Sequence, residues 1–90
     1  MIYLISYDIN KVVKNYDELY VAIKEISGDF QHPLESTWFV ATDSLTQADI
    51  YKRLRPLIDD KDYLFVARLT KDYYGWLAKN VWDWINAHNL

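Results

Sequence analysis

A ferredoxin-like α+β sandwich of βαββαβ order, extended by a C-terminal helix, is predicted by three features of the 90-residue sequence. Short runs rich in β-formers alternate with stretches whose apolar residues recur at helical spacing. Only two Gly and two Pro interrupt the chain, so connections are tight and little of it can be linker. Apolar residues make up 51% and aromatics 17%, too rich a mixture for disorder and enough for one modest core. Residues 1–90 are expected to form one domain.

The first strand runs from Met1 through Ile2, Tyr3, Leu4, Ile5, Ser6 and Tyr7 and stops on Asp8. Ile9, Asn10 and Lys11 leave the strand at once, so Asp8 stands at its C-terminal edge. Two readings are open there. Asp8 faces a crevice, since a buried unpaired carboxylate is costly, or it caps a turn or helix start. Next, Tyr16, Leu19, Tyr20, Ile23 and Ile26 share a helical face, Asn15 and Glu18 suit its start, and Gly28 stops it. The spacing predicts a helix from about Tyr16 to Ser27.

Between Phe30 and Thr42 the chain is rich in β-formers but contains Pro33, which belongs on an edge strand or at a break. Two strands, one on each side of Glu35–Thr37, are favoured over one bent strand. Ser44 with Gln47, or Thr46 with Asp49, can cap a second helix whose apolar face is Ile50, Leu54, Leu57 and Ile58. Pro56 should kink or shorten its last turn. Asp59 to Asp62 reads as a solvated turn and Tyr63 to Leu69 as the last strand. Leu77, Val81, Trp84, Ile85 and His88 share a face of a final helix that Gly75 and Trp76 introduce.

Right-handed crossovers between adjacent parallel strands turn this order into a split βαβ sheet with two helices on one face. Ile2, Leu4, Leu64, Val66, Leu19, Ile23, Ile50 and Leu54 are expected in one core. A one-residue register error would swap the strand faces. Both faces of the first and last strands are apolar, yet two helices cover only one. The C-terminal helix or a second copy of the sheet must supply the other cover. A two-fold homodimer is the favoured expectation, with Tyr3, Ile5, Phe65 and Leu69 at its interface.

The net charge of −3 argues against binding nucleic acid chiefly through phosphates, which takes a basic surplus. Cysteine is absent, which removes disulfides, thiolate metal sites and cysteine nucleophiles and fits a reducing compartment. The apolar start lacks a basic leader and a small-residue cleavage site, and no apolar run has the length of a membrane span. A soluble, cytoplasmic protein without membrane partners is expected.

Three short motifs carry a resemblance. They are Ile-Ser-Tyr-Asp-Ile at residues 5–9, Leu-Glu-Ser-Thr-Trp-Phe at 34–39 and Leu-Phe-Val at 64–66. In this order the sequence resembles the small SinR-like proteins over nearly its whole length, Gly75, Trp76 and the terminal helix included. It is similar also to the CRISPR-associated Cas-two proteins, over roughly residues 1–70 with Ser36 as a landmark, and to the virulence-associated protein D toxins. The resemblance implies a ferredoxin-like homodimer with facing sheets and a pair of Asp8 carboxylates near the two-fold axis. In the larger family that pair is assigned a divalent metal and phosphodiester cleavage of RNA or DNA. This chain departs from the Cas-two pattern in charge and in its tryptophan-rich C-terminal helix, so a role in spacer acquisition is not implied.

On that basis Asp8 is the candidate catalytic and metal-ligating residue, and two such carboxylates suit Mg²⁺ or Mn²⁺ with water completing the shell. Without metal, one of two close carboxylates would keep its proton. His32 could serve as a general acid or base if it shared Asp8's groove; otherwise it is a hydrogen-bonded surface residue. Ser36, a possible accessory, otherwise reads as a strand hydroxyl. Lys52, Arg53 and Arg55 form a basic stripe that could touch phosphates or simply face solvent. Trp76, Trp82 and Trp84 could stack on bases, but at helical spacing they more often pack, Trp84 in the core and Trp82 at an interface. His88 lies in a fraying terminus. A metal-dependent nuclease and a non-catalytic dimeric interaction module are the two function classes that remain.

Overall fold

The computed structural model describes residues 1–10, 17–88 and 90. Along it run β1 (Ile2–Asp8), α1 (Asp17–Ile26), β2 (Phe30–Leu34), β3 (Thr37–Ala41), α2 (Gln47–Leu54), a 3₁₀ turn (Arg55–Leu57), β4 (Tyr63–Arg68) and α3 (Lys79–Asn86). This is the expected ferredoxin-like α+β order with a C-terminal helix. The strands form one sheet, β2-β3-β1-β4, in which every neighbouring pair is antiparallel. The expectation of adjacent parallel strands is therefore corrected. The tight connection through Glu35 and Ser36 makes β2 and β3 a hairpin, which puts β3 between β1 and its parallel mate β2.

Local chemistry explains most element ends. β2 lies at the sheet edge, where the missing amide proton of Pro33 is tolerated, and its register with β3 shifts between Gln31 and Leu34. The proposed cap of α1 by Asn15, and its start at Tyr16, lie outside the described residues. α1 ends before Gly28, but that glycine does not adopt positive φ. The turn is made instead by Ser27, whose Oγ accepts the Asp29 amide at 3.1 Å. Of the two possible caps for α2, Thr46 with Asp49 is the one formed. The Asp49 amide donates to Thr46 Oγ1 at 3.2 Å, and the Thr46 amide to Asp49 Oδ2 at 2.9 Å. Pro56 ends regular helix early, so Leu57 falls in the 3₁₀ turn and Ile58 in extended chain beyond it. α3 is shorter than its apolar pattern, and Leu77 precedes it.

The sheet is apolar on both faces, and the two faces are covered differently. On the first, Tyr3, Ile5, Tyr7, Trp38 and Val40 meet Leu19, Ile23 and Ile26 of α1 and Ile50 and Leu54 of α2. Inside this core Trp38 Nε1 donates to the Tyr7 hydroxyl at 3.0 Å. On the second, Ile2 and Phe39 meet Val81 and Ile85 of α3.

Three expectations change here. Ile2 and Leu4 belong to the α3 side and not to the core of α1 and α2, although Leu64 and Val66 do pack there. Tyr3 and Ile5 are consequently covered by their own helices, and the C-terminal helix supplies part of the second cover. The turn before β4 is not wholly solvated: Asp62 is buried, accepting the Asn10 amide at Oδ1 (3.1 Å) and the Asp59 amide at Oδ2 (2.9 Å). Backbone amides satisfy its desolvated carboxylate. Among the described residues, no helix is long and apolar enough to cross a membrane.

Candidate functional site

Alternation along β1 sends Ile2, Leu4, Ser6 and Asp8 to the α3 side of the sheet. Pairing then sets their neighbours: Ser6 lies between Thr37 and Phe65, and Asp8 is opposite Tyr63. α3 packs over the Ile2 end of this face and leaves the Asp8 end open. Asp8 is exposed there, and so are Tyr63 (70%) and Phe65 (66%), in spite of their apolar rings. Ser6 Oγ and Thr37 Oγ1 lie 3.1 Å apart, and Ser6 Oγ also donates to the Ser36 carbonyl at 3.4 Å.

Between this face, the chain after β4 and α3 is a hollow of about 300 Å³ lined by Leu4, Leu34, Phe39, Tyr73, Trp76 and Trp82, among others. Its walls suit apolar side chains better than phosphate. Tyr73 and Trp82 stack with centroids 6.0 Å apart, and Trp82 closes over Gly75, where an added Cβ would lie 3.5 Å from the indole. Trp82 is thus half-buried within the chain. Trp76 at the rim is almost fully exposed, and so is Tyr74.

The other predicted site residues do not converge on Asp8. His32 lies on the first sheet face, stacked on Trp38 at 3.9 Å between centroids and hydrogen-bonded through Nε2 to the Glu35 carbonyl at 2.9 Å. It cannot serve a groove on the opposite face, because it follows the orientation of Trp38. Ser36 is near the Asp8 end of β1, but in the hairpin turn and not in a strand. Its carbonyl accepts the Tyr7 amide at 3.1 Å. Lys52 and Arg53 are exposed on α2, a helix that packs on the first face. Arg55, half-buried in the 3₁₀ turn, donates to the Ile58 carbonyl at 3.1 Å and pairs with Asp60 at 2.7 Å. The basic stripe is therefore partly neutralised and lies across the sheet from Asp8.

Among the described residues, no three His, Cys, Asp or Glu side chains form a group able to hold a metal. One chain offers one carboxylate at Asp8, so the divalent-metal set implied by the resemblance is incomplete without a second copy. The Ser6–Thr37 hydroxyl pair was missed in sequence, although Ser6 shares the parity of Asp8 and could have been found by counting in twos.

His88, expected in a frayed end, is held on two sides. Its Nδ1 meets the Trp84 carbonyl at 2.6 Å and its Nε2 meets Asp29 Oδ2 at 2.7 Å. Trp84 Nε1 donates to the other oxygen of the same carboxylate at 2.6 Å. The Trp84 carbonyl, then the Asp29 carboxylate, raises the His88 pKa above its usual value. The hydrogen bond from His88 in turn holds Asp29 below the ordinary carboxylate value, against the opposing effect of desolvation. No protein-family profile matches this chain, and no curated protein does.

Proposed function

We propose that this protein works as a two-fold homodimer, an assembly module that keeps a nuclease-like fold and uses the open half of the second sheet face as its contact surface. The observation that carries this reading is the exposure of Tyr63 and Phe65 on the open half of this face, together with that of Leu34 and Trp76, which line the apolar hollow on the same side. Exposed apolar surface gathered in one place favours association, and aromatic residues are enriched in contact cores. A second copy is the chosen occupant because a two-fold contact needs only this patch, matched with itself. The resemblance to SinR-like proteins supports the same facing-sheet pair, in a cytoplasmic setting. Sedimentation equilibrium at micromolar concentration should give twice the chain mass, and Phe65→Asp should give the monomer mass. A wild-type monomer at all concentrations would reject the reading.

The place of Asp8 on this face favours a second reading. If two copies met across the open half, their Asp8 carboxylates would approach one another and could share Mg²⁺ or Mn²⁺, the cation that would polarise phosphate and activate water in a nuclease. The RNA or DNA would then have to be bound without the stripe of Lys52, Arg53 and Arg55. Cleavage of labelled RNA or DNA that depends on Mn²⁺ and disappears in Asp8→Asn would establish this reading. Equal turnover by both proteins would mark a contaminating nuclease.

A further inference from the structure

We infer that His88, Asp29 and Trp84 form a proton-operated latch that fixes the end of α3 to the connection between α1 and β2. It is independent of the dimer, because all three residues belong to one chain. The inference rests on hydrogen-bond accounting. Both partners of the imidazole, the Trp84 carbonyl and the Asp29 carboxylate, only accept. A neutral imidazole has one N–H and can satisfy only one of them, whereas the imidazolium has two. The second carboxylate oxygen already receives the Trp84 indole. One proton thus completes a ring that joins Trp84 on α3 and His88 just beyond its end to Asp29 on the facing loop.

Few other charges face the ring. Lys71 and Tyr73, from the chain after β4, line the hollow beside His88 together with Asn86 and Leu90. The amino terminus acts against the proton and is itself paired with Asp43 at 2.6 Å. On α3, Lys79 and Asp83 pair with each other at 2.7 Å.

The direction of the response follows from linkage. His88 has a raised pKa in the folded chain, so its contribution is complete below the unfolded value near 6.5 and is lost as pH rises through the higher folded value. Asp29 is lowered, so its contribution is present above the ordinary carboxylate value and lost as pH falls through the folded one. The latch is closed between those limits. Val81 and Ile85 are buried against the sheet without the help of this ring, so the response should be confined to the end of α3 and the Asp29 loop.

The test is proton NMR of the intact chain, which has only two histidines, so the His88 signal can be followed by itself. His88 should titrate above the ordinary histidine value of 6.5. Across that titration, exchange protection of amides 84–88 should fall by about tenfold for each unit by which folding raises the pKa, while protection in β1 stays constant. Asp29→Asn should lower the His88 midpoint and flatten the pH response of α3. A wild-type His88 midpoint at or below 6.5, or α3 protection unchanged while His88 loses its proton, would overturn the latch; the wild-type measurement decides even if the variant does not fold.

Discussion

The two faces of the sheet are made from the same kinds of residue but finished differently. The first is closed by two helices over Ile5, Ile23, Ile50 and Leu54, all at most 2% exposed. The second is closed at one end by the short α3 and open at the other, where Tyr63 and Phe65 stand in solvent. The difference lies in the amount of helix available. α1 and α2 span the first face, whereas α3 has only eight residues for the second. One face is therefore sealed along its length, and the other keeps part of its apolar surface in solvent.

The strongest way to probe that contrast is through the closed face. Ile5→Ala should cost about 2–5 kcal/mol, the range for a fully buried aliphatic truncation, in urea unfolding. Ile85→Ala, under α3, should cost about 2 kcal/mol, since a helix anchored on one side can settle into the space. If the second loss equalled or exceeded the first, α3 would be as integral as the other helices and the two faces would not differ in kind. Smaller again is Thr46→Ala, which removes half of the α2 capping box and should cost about 1 kcal/mol in the same assay. At the open end, Phe65→Ser should change the unfolding free energy of dilute protein by no more than about 0.5 kcal/mol. A larger loss would show that the exposed ring is tied to the fold of its own chain.

Features with a local cause were legible in the sequence. The Thr46–Asp49 cap, the edge position of Pro33 and the early end of α2 at Pro56 depend on near neighbours. So did the order of elements, because the apolar period changes from strand to helix. The sheet faces were not legible, because Ile2 and Leu4 are as apolar as Tyr3 and Ile5, and alternation without a polar side has no direction. Polarity first appears with Ser6 and Asp8, too late in the strand to orient it. Asp62 and His88 were misread for another reason. Each takes one of its partners from far away in the chain, Asp62 from Asn10 and His88 from Asp29, and such pairings exist only once the sheet has formed. At the candidate site, the edge position of Asp8 could be read, whereas the separation of His32 and the basic residues from it depends on which face each occupies.

The most direct test of the open face as the working surface is a dilution series followed by NMR. Signals of Leu34, Phe65 and Trp76 should move with protein concentration in the micromolar range and saturate together. Those of Lys52 and Arg53, on the far side of the sheet, should stay fixed. Concentration-independent spectra, or shifts centred on the α2 residues, would contradict the account.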